Sequence, residues 1–566
     1  MAPNRSAHIP ENPESVEWDA IVIGTGMGGA TAGYELARLG RRVLFLEKGR
    51  FLQREEDTQQ GELGDPSADP QERLRRGYWP LSIQGQTSAG GAAPSAQWSP
   101  VKGVLGAGVG DVDFFAPLGC GTGGSTILYG ATLERFYPSD FKPRENFPEV
   151  SDSTLPEAWP VGWDEIEPFY RRAEELFSVH GTPDPLHPGD DGLMPEPPPL
   201  NQQDQNVHDL FKEKGLHPYR SHIGCEFKEG CGGCGGRLCL RECKSDSGRC
   251  CLIPAVDRFG AGLLTECEVT RLSADGSTVR EVHCLLQGRE LKLRGKTVIL
   301  AAGALMSPVL LLNSKSEAWP EGLANKSGLV GRNLMVHAGD MIAVSPSKGG
   351  SGDGFKKSLS INDFYFSEGR KLGNFQSLGV AVNSGAVFAH LRTTMDKSPV
   401  WLRKLVHPIL LKIAARLGAF YFRNAVVFSS ILEDLPYLHN RVMADPEAKN
   451  GMRFEYAYPE ELRERNELFR RSVRRKLGRR RIAVLSRPMN LNFGHPCGTC
   501  RFGDDPKTSV LDSTNRAHGV LNLYVTDASF FPSSGGVNPS LTIAANALRV
   551  AGIIDERLAE TPAPGH

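Results

Sequence analysis

Apolar residues run along this chain in more than one rhythm. Ala20–Ile23 is a short unbroken apolar run. Ala30, Leu36 and Ala37 then recur at helical spacing up to Leu39, and Val43–Leu46 is a second unbroken run. Short apolar runs bounded by turn residues fit buried parallel strands, so residues 18–49 predict one strand–helix–strand unit. Near the other end, Leu523–Val525 predicts a strand, and "NPSLTIAANALRVAGII" (538–554) predicts a largely apolar helix. The middle of the chain is amphipathic. Residues 155–181 read as a turn followed by a helix. Residues 400–424 put Leu405, Ile409, Ile413 and Leu417 on one face, with Lys404, Lys412, Arg416 and Arg423 supplying cations. Such a helix could lie on a membrane or cover an oily substrate, but it is expected to pack its apolar face on its own domain, and membrane association is not expected. The arginine-rich 461–481 reads as a solvated helix, while 183–200 (proline-rich) and 345–356 (glycine-rich) read as loops. No run of about 18 apolar residues exists, so no membrane span is expected.

The link inside the first unit carries candidate chemistry. Gly24, Gly26 and Gly29 form G-x-G-x-x-G between the strand and the helix, and Glu47 follows the second strand. Gly24 permits the tight turn. Gly26 lets backbone approach a pyrophosphate, and Gly29 lets helix and strand pack closely. The helix N-terminus offers free N–H groups to phosphate, and Glu47 is placed to accept a ribose hydroxyl. An acid at that point disfavours a 2′-phosphate, so FAD or NAD is expected over NADP.

Composition narrows the reading. The 566 residues suffice for two or three domains. Lys and Arg total 65 against 66 Asp and Glu, which gives no support to a nucleic-acid or membrane-surface role. The polar, acidic first twenty residues read as no signal peptide, so a cytoplasmic protein is expected, with its 12 cysteines as thiols or metal ligands.

Four further stretches carry a resemblance. They are "PLGCGTGGSTILYGATLERFYPSDFK" (117–142), "AAGALMSPVLLLNS" (301–314), "GLVGRNLMVH" (328–337) and the segment from "HPCGTCRFG" to "LYVTDASFFPSSGGVNPSLTIAANALRVA" (495–551). In this order they resemble the glucose–methanol–choline oxidoreductases, FAD enzymes, and most closely the branch with pyranose oxidase and gluconate or sorbitol dehydrogenases. The resemblance implies an α/β fold, with a Rossmann-like FAD domain and a second α+β substrate domain. The FAD domain would comprise about 1–150, 252–335 and 485–566, and the substrate domain 151–251 and 336–484. It implies FAD contacts from Gly121, Gly124, Ser125, Val269, Asp527 and Ala528. Some members of that branch bind FAD covalently through a histidine in the 117–142 loop. Leu128 stands at the matching position, so non-covalent FAD is expected.

Oxidising an alcohol by hydride transfer needs a base for the hydroxyl proton and a group that orients the hydroxyl. The resemblance implies His495 as base and Asn538 as orienter, with His337 and His518 read as structural. The expected partners are a small-molecule alcohol and an electron acceptor: oxygen, a quinone or a protein. A dehydrogenase is preferred to an oxygen-using oxidase. A non-oxidising flavoprotein, an electron carrier or lyase, is the alternative of another class.

"CGGCGGRLCLREC" (231–243), followed by Cys250 and Cys251, concentrates six cysteines in 21 residues. Three readings stand. An iron–sulfur cluster is preferred, on Cys231, Cys234, Cys239, Cys243 and Cys251, since relatives with a cluster carry it in this region. A four-thiolate zinc site and free thiols are the others.

Overall fold

The computed structural model describes residues 12–52, 100–105, 112–115, 119–190, 193–233, 239, 241–380, 408–448, 451–485 and 490–560, with single positions between 384 and 395. Two large sheets organise them. In the first, the strands run in the order Gly262–Leu264, Val43–Leu46, Glu17–Ile23, Arg289–Leu300, Val279–Leu286 and Cys267–Ala274, with Leu523–Val525 also paired to Arg289–Leu300. Glu17–Ile23 lies parallel to both neighbours, Val22 opposite Phe45 and Ile21 opposite Val298. The twelve-residue strand Arg289–Leu300 changes partner along its length. Residues 289–293 pair antiparallel with 282–286, and the remainder pairs parallel with the first strand and with 523–525.

The helix Met27–Arg38 is buried on nearly all sides, because Ser540–Glu560 packs against it. Its glycines allow this. A Cβ on Gly28 would lie 2.0 Å from Thr526 O, and one on Gly29 would lie 2.1 Å from Gly24 O.

The second sheet is antiparallel, in the order Ile482–Val484, Met341–Val344, Val426–Leu432, Gly373–Ser377, Leu359–Ile361 and Tyr219–Arg220. Met335–Gly339 links Val426–Leu432 to Asn490–Cys497. The strand carrying His495 is therefore part of this sheet, although residues from 485 onward were grouped with the FAD domain. Helices Gln202–Glu213 and Glu460–Leu477 close an apolar core over it through Val207, Phe211, Leu462, Phe469 and Val473. The arginine-rich helix is thus solvated on one side only. Arg465 is itself buried, its guanidinium held by Glu461 and by Glu433 O at 2.7 Å. The 155–181 segment forms the helix Trp163–Leu176, with Ile166, Tyr170 and Ala173 buried against the C-terminal helix.

The 400–424 segment departs from expectation. Its helix is Pro408–Tyr421, and Ile409, Ile413 and Leu417 are exposed to solvent rather than packed on the domain.

Candidate active site

The dinucleotide residues meet at the C-terminal ends of the parallel strands. Gly24 turns at φ +97°, and its N–H bonds to Leu46 O at 2.8 Å. A Cβ on Gly26 would meet nothing within 4 Å, so the backbone faces open space there. The helix that follows has no side-chain cap and no acid in its first turn. Its N–H dipoles are left for an external anion. The Thr526 hydroxyl, on the residue that abuts Gly28, is buried without a partner.

The glycine loop 119–124 folds over this seat. A Cβ on Gly124 would lie 2.9 Å from Gly26 Cα, and Gly123 N–H reaches Thr25 Oγ1 at 3.2 Å. An open glycine cradle, an uncapped helix end and an unclaimed buried hydroxyl fit the pyrophosphate of FAD.

Glu47 is more deeply engaged than its sequence position suggests. Its carboxylate accepts from Thr25 Oγ1 (2.6 Å) and from the N–H groups of Gly49 (2.9 Å) and Gly121 (3.1 Å), and burial pushes its pKa up. It ties the two glycine loops together. Val269 lies on the neighbouring strand, two residues past Cys267, whose N–H bonds to Glu47 O. Asp527 accepts from Gly303 N–H (2.8 Å) and Ser529 N–H (2.9 Å), so it fixes the turn at the strand end. Ala528 O receives Gly498 N–H, which joins this turn to the chain just past His495. Ser125 Oγ accepts from Gly119 N–H at 3.1 Å, inside its own loop. Leu128 is buried with Leu52 and Ile127.

His495 Nδ1 lies 3.0 Å from His337 Nδ1, and His337 Nε2 lies 2.9 Å from Gly535 O. The Gly535 contact assigns the His337 proton. A carbonyl only accepts, so His337 carries its hydrogen on Nε2. Burial lowers the His337 pKa to about 4, so the ring is neutral and its Nδ1 is an acceptor. Toward this acceptor His495 would present Nδ1–H, which leaves a lone pair on Nε2. Asn492, whose Oδ1 accepts from Gly494 N–H at 2.9 Å, turns its Nδ2 donor toward the same Nδ1 at 3.2 Å and favours the opposite tautomer. Burial first, and then the nearby His337 and Lys357, hold the His495 pKa well below its ordinary value. His337, expected to be structural, thus touches the expected base directly. Its place in "GRNLMVH" marks it, but only the strand pairing of 335–339 with 490–497 brings it to His495. His518 bonds Ser509 Oγ at 2.9 Å and keeps a structural role.

Asn538 Oδ1 accepts from Gln376 Nε2 at 2.8 Å, which leaves the Asn538 amide hydrogens for another acceptor. Gln376 Oε1 and Asn374 Oδ1, on alternate positions of one strand, are buried without partners. Lys357 donates to Gly130 O at 3.1 Å, and burial pushes its pKa down to about 8. No motif announces Gln376, Asn374 or Lys357. The first two are placed by the second sheet's register, which sequence periodicity does not specify, and Lys357 by the chain just before the strand Leu359–Ile361.

The cysteines assemble only in part as expected. Cys251 is carried into the first core by the helical turn Gly248–Leu252 and lies 3.6 Å from Thr31 Oγ1. It is thereby removed from the loop. Cys234 lies outside the described residues. Cys225, absent from the expected set, joins Cys239 and Cys243 in a small buried cluster with Cys231 packed against it. A hydrogen bond from Cys225 leads the effects that bring the Cys231 pKa down to about 6. Among the described residues no group is arranged to hold a metal ion, so neither iron–sulfur nor zinc enters the function proposed below.

Comparison with known proteins agrees with this geometry. The sequence matches GMC oxidoreductase family profiles over residues 19–339 and 440–547. It is 28% identical to paromamine 6′-oxidase of Streptomyces fradiae, covering 94% of this chain and 90% of that one. It is 26% identical to 2-methyl-1,2-propanediol dehydrogenase of Mycolicibacterium austroafricanum, covering 96% of each. Fructose dehydrogenase large subunit of Gluconobacter japonicus is 24% identical, over 96% of this chain and 98% of that one. Among solved structures, pyridoxine 4-oxidase from Mesorbium loti superposes with a TM-score of 0.61 at 19% identity, over 95% of this chain and 99% of that one. The chain belongs to the GMC oxidoreductases.

Proposed function

We propose that this protein oxidises the CH–OH group of a small polar alcohol or sugar to a carbonyl, with His495 as base and Asn538 as orienter. The observation that carries the reading is the contact chain from Gly535 O through His337 to His495 Nδ1. With its proton on Nδ1, toward His337, a neutral His495 has Nε2 unprotonated, as a general base requires. The same loop, 535–538, anchors His337 and presents Asn538, so both roles share one support. FAD, which the family binds, supplies the hydride acceptor when bound. The chain's residues hold the hydroxyl, take its proton and exclude water. The names of the paromamine, propanediol and fructose relatives support a small hydroxylated substrate. Anaerobic mixing with a panel of such alcohols tests the reading. Bleaching of the flavin by at least one is expected, and no bleaching by any would support the non-oxidising alternative. Turnover in air against turnover with a quinone under nitrogen separates oxidase from dehydrogenase.

Two further results are expected. Leu128 offers no nucleophile, so acid precipitation should release the flavin into the supernatant, and yellow colour in the washed pellet would contradict non-covalent binding. The second concerns pH. His495 accepts a proton only when neutral, and its pKa lies below the ordinary 6.5. The acidic limb of kcat/KM should therefore have its midpoint below 6.5, with no loss between pH 7 and 8 from this group. His337→Gln should lower kcat more than it raises KM and should move that limb. An unchanged limb would leave His337 with a structural role only.

A further inference from the structure

The helix Pro408–Tyr421 inverts the arrangement of a globular surface helix. At about 100° per residue, Ile409, Leu410, Ile413, Leu417, Phe420 and Tyr421 fall within an arc of roughly 120°. All six are exposed, from 46% at Ile413 to 72% at Tyr421. The opposite side carries the smaller packing groups. Ala415 is buried, and a Cβ on Gly418 would lie 3.0 Å from the Val387 side chain. Six large apolar side chains therefore point away from the protein, while Leu411, Ala415 and Gly418 lie on the side that packs.

The charges are equally one-sided. Lys412 and Arg416 are exposed along one edge of the arc, and Arg423 lies just beyond the helix, its guanidinium 4.1 Å from the centroid of the Phe420 ring. No Asp or Glu occurs between residues 397 and 432. At about 1.5 Å per residue the helix is about 21 Å long, too short to span a bilayer of about 30 Å. No helix among the described residues is long and apolar enough to cross.

We infer that this helix docks the enzyme onto an anionic lipid bilayer, with the apolar arc in the acyl boundary and Lys412, Arg416 and Arg423 at the headgroups. An amphipathic helix with an outward apolar face and a cationic edge lies in the membrane interface, and anionic lipid adds to its binding. A second copy is the weaker occupant. A two-fold contact through this face sets each patch against itself, bringing the cations of both copies together with no carboxylate to receive them. The inference is independent of the reaction proposed above, and it reverses the expectation that this face is covered by the protein's own domain.

Flotation of the holoenzyme with vesicles tests it. The enzyme should float with phosphatidylglycerol–phosphatidylcholine vesicles and remain below with pure phosphatidylcholine, and the bound fraction should fall as salt is raised. Leu417→Glu with Phe420→Glu should cut the partition coefficient at least tenfold. Lys412→Gln with Arg416→Gln should weaken binding and flatten its salt dependence. Both exposed double variants should keep the wild-type melting temperature. Enzyme that stays below with both vesicle types overturns the inference. So does a dimer that Leu417→Glu dissociates into monomers, which would assign the face to a second copy.

Discussion

Flavin in the His495→Ala variant is expected to stay oxidised when substrate is added anaerobically, while FAD remains bound. General bases contribute about 10²–10⁴-fold, and neither His337 nor Asn538 is placed to replace this one. His337 is turned toward Gly535 O, and Asn538 has no basic atom. Asn538→Ala should slow reduction less, because the base survives. Stopped-flow reduction at saturating substrate measures both. A wild-type rate in the His495 variant would remove it from the mechanism. A greater loss in the Asn538 variant than in the His495 variant would reverse the two roles.

Lys371→Met should lower the melting temperature sharply. Lys371 is fully buried between Asp140 and Glu433, with Glu433 Oε2 at 2.6 Å. Burial opposes its charge, but the two carboxylates outweigh that and hold its pKa up. Removing one member of a buried ion cluster costs about 3–5 kcal/mol, because the remaining charges lose their counter-ion. The variant keeps the apolar stem and leaves two carboxylates unneutralised. Asp140 also accepts from Tyr365 OH at 2.6 Å, and that hydroxyl accepts Gly536 N–H at 3.1 Å. The damage should therefore extend to the loop that presents Asn538, and turnover should fall along with stability. A thermal scan at fixed rate reads the first effect, and steady-state kinetics below the transition reads the second. An unchanged melting temperature would show that the cluster is not ionised as drawn.

The first sheet was legible because its strands are continuous apolar runs and its turns are marked by glycine. The runs at 20–23, 43–46 and 523–525 all became strands of that sheet. The proposed base and orienter, His495 and Asn538, were legible only through motif resemblance. The second sheet was not legible. Its short antiparallel strands bury polar residues such as Asn374 and Gln376, so they lack the apolar–polar alternation of a half-solvated sheet. The cysteine reading brought Cys231, Cys239 and Cys243 together rightly and misplaced Cys251. Density along the chain says nothing of direction, and a single helical turn at 248–252 carried Cys251 to another core. The helix 408–421 shows that an amphipathic pattern gives a face but not what covers it.

The Glu47 carboxylate has one more consequence. It joins the turn at residue 25, the turn at 49 and the glycine loop at 121, while Gly24 and Gly28 press on backbone at 301 and 526. Pieces of chain some five hundred residues apart thus converge on one small seat. A dinucleotide lying there works as a keystone. At a thousandfold excess over Kd, a ligand specific to the folded state adds about 4 kcal/mol to its stability. Stripping the flavin should loosen the join between the N-terminal and C-terminal portions before either core melts, and the yellow colour of the preparation then becomes a running measure of how much of the protein is still assembled.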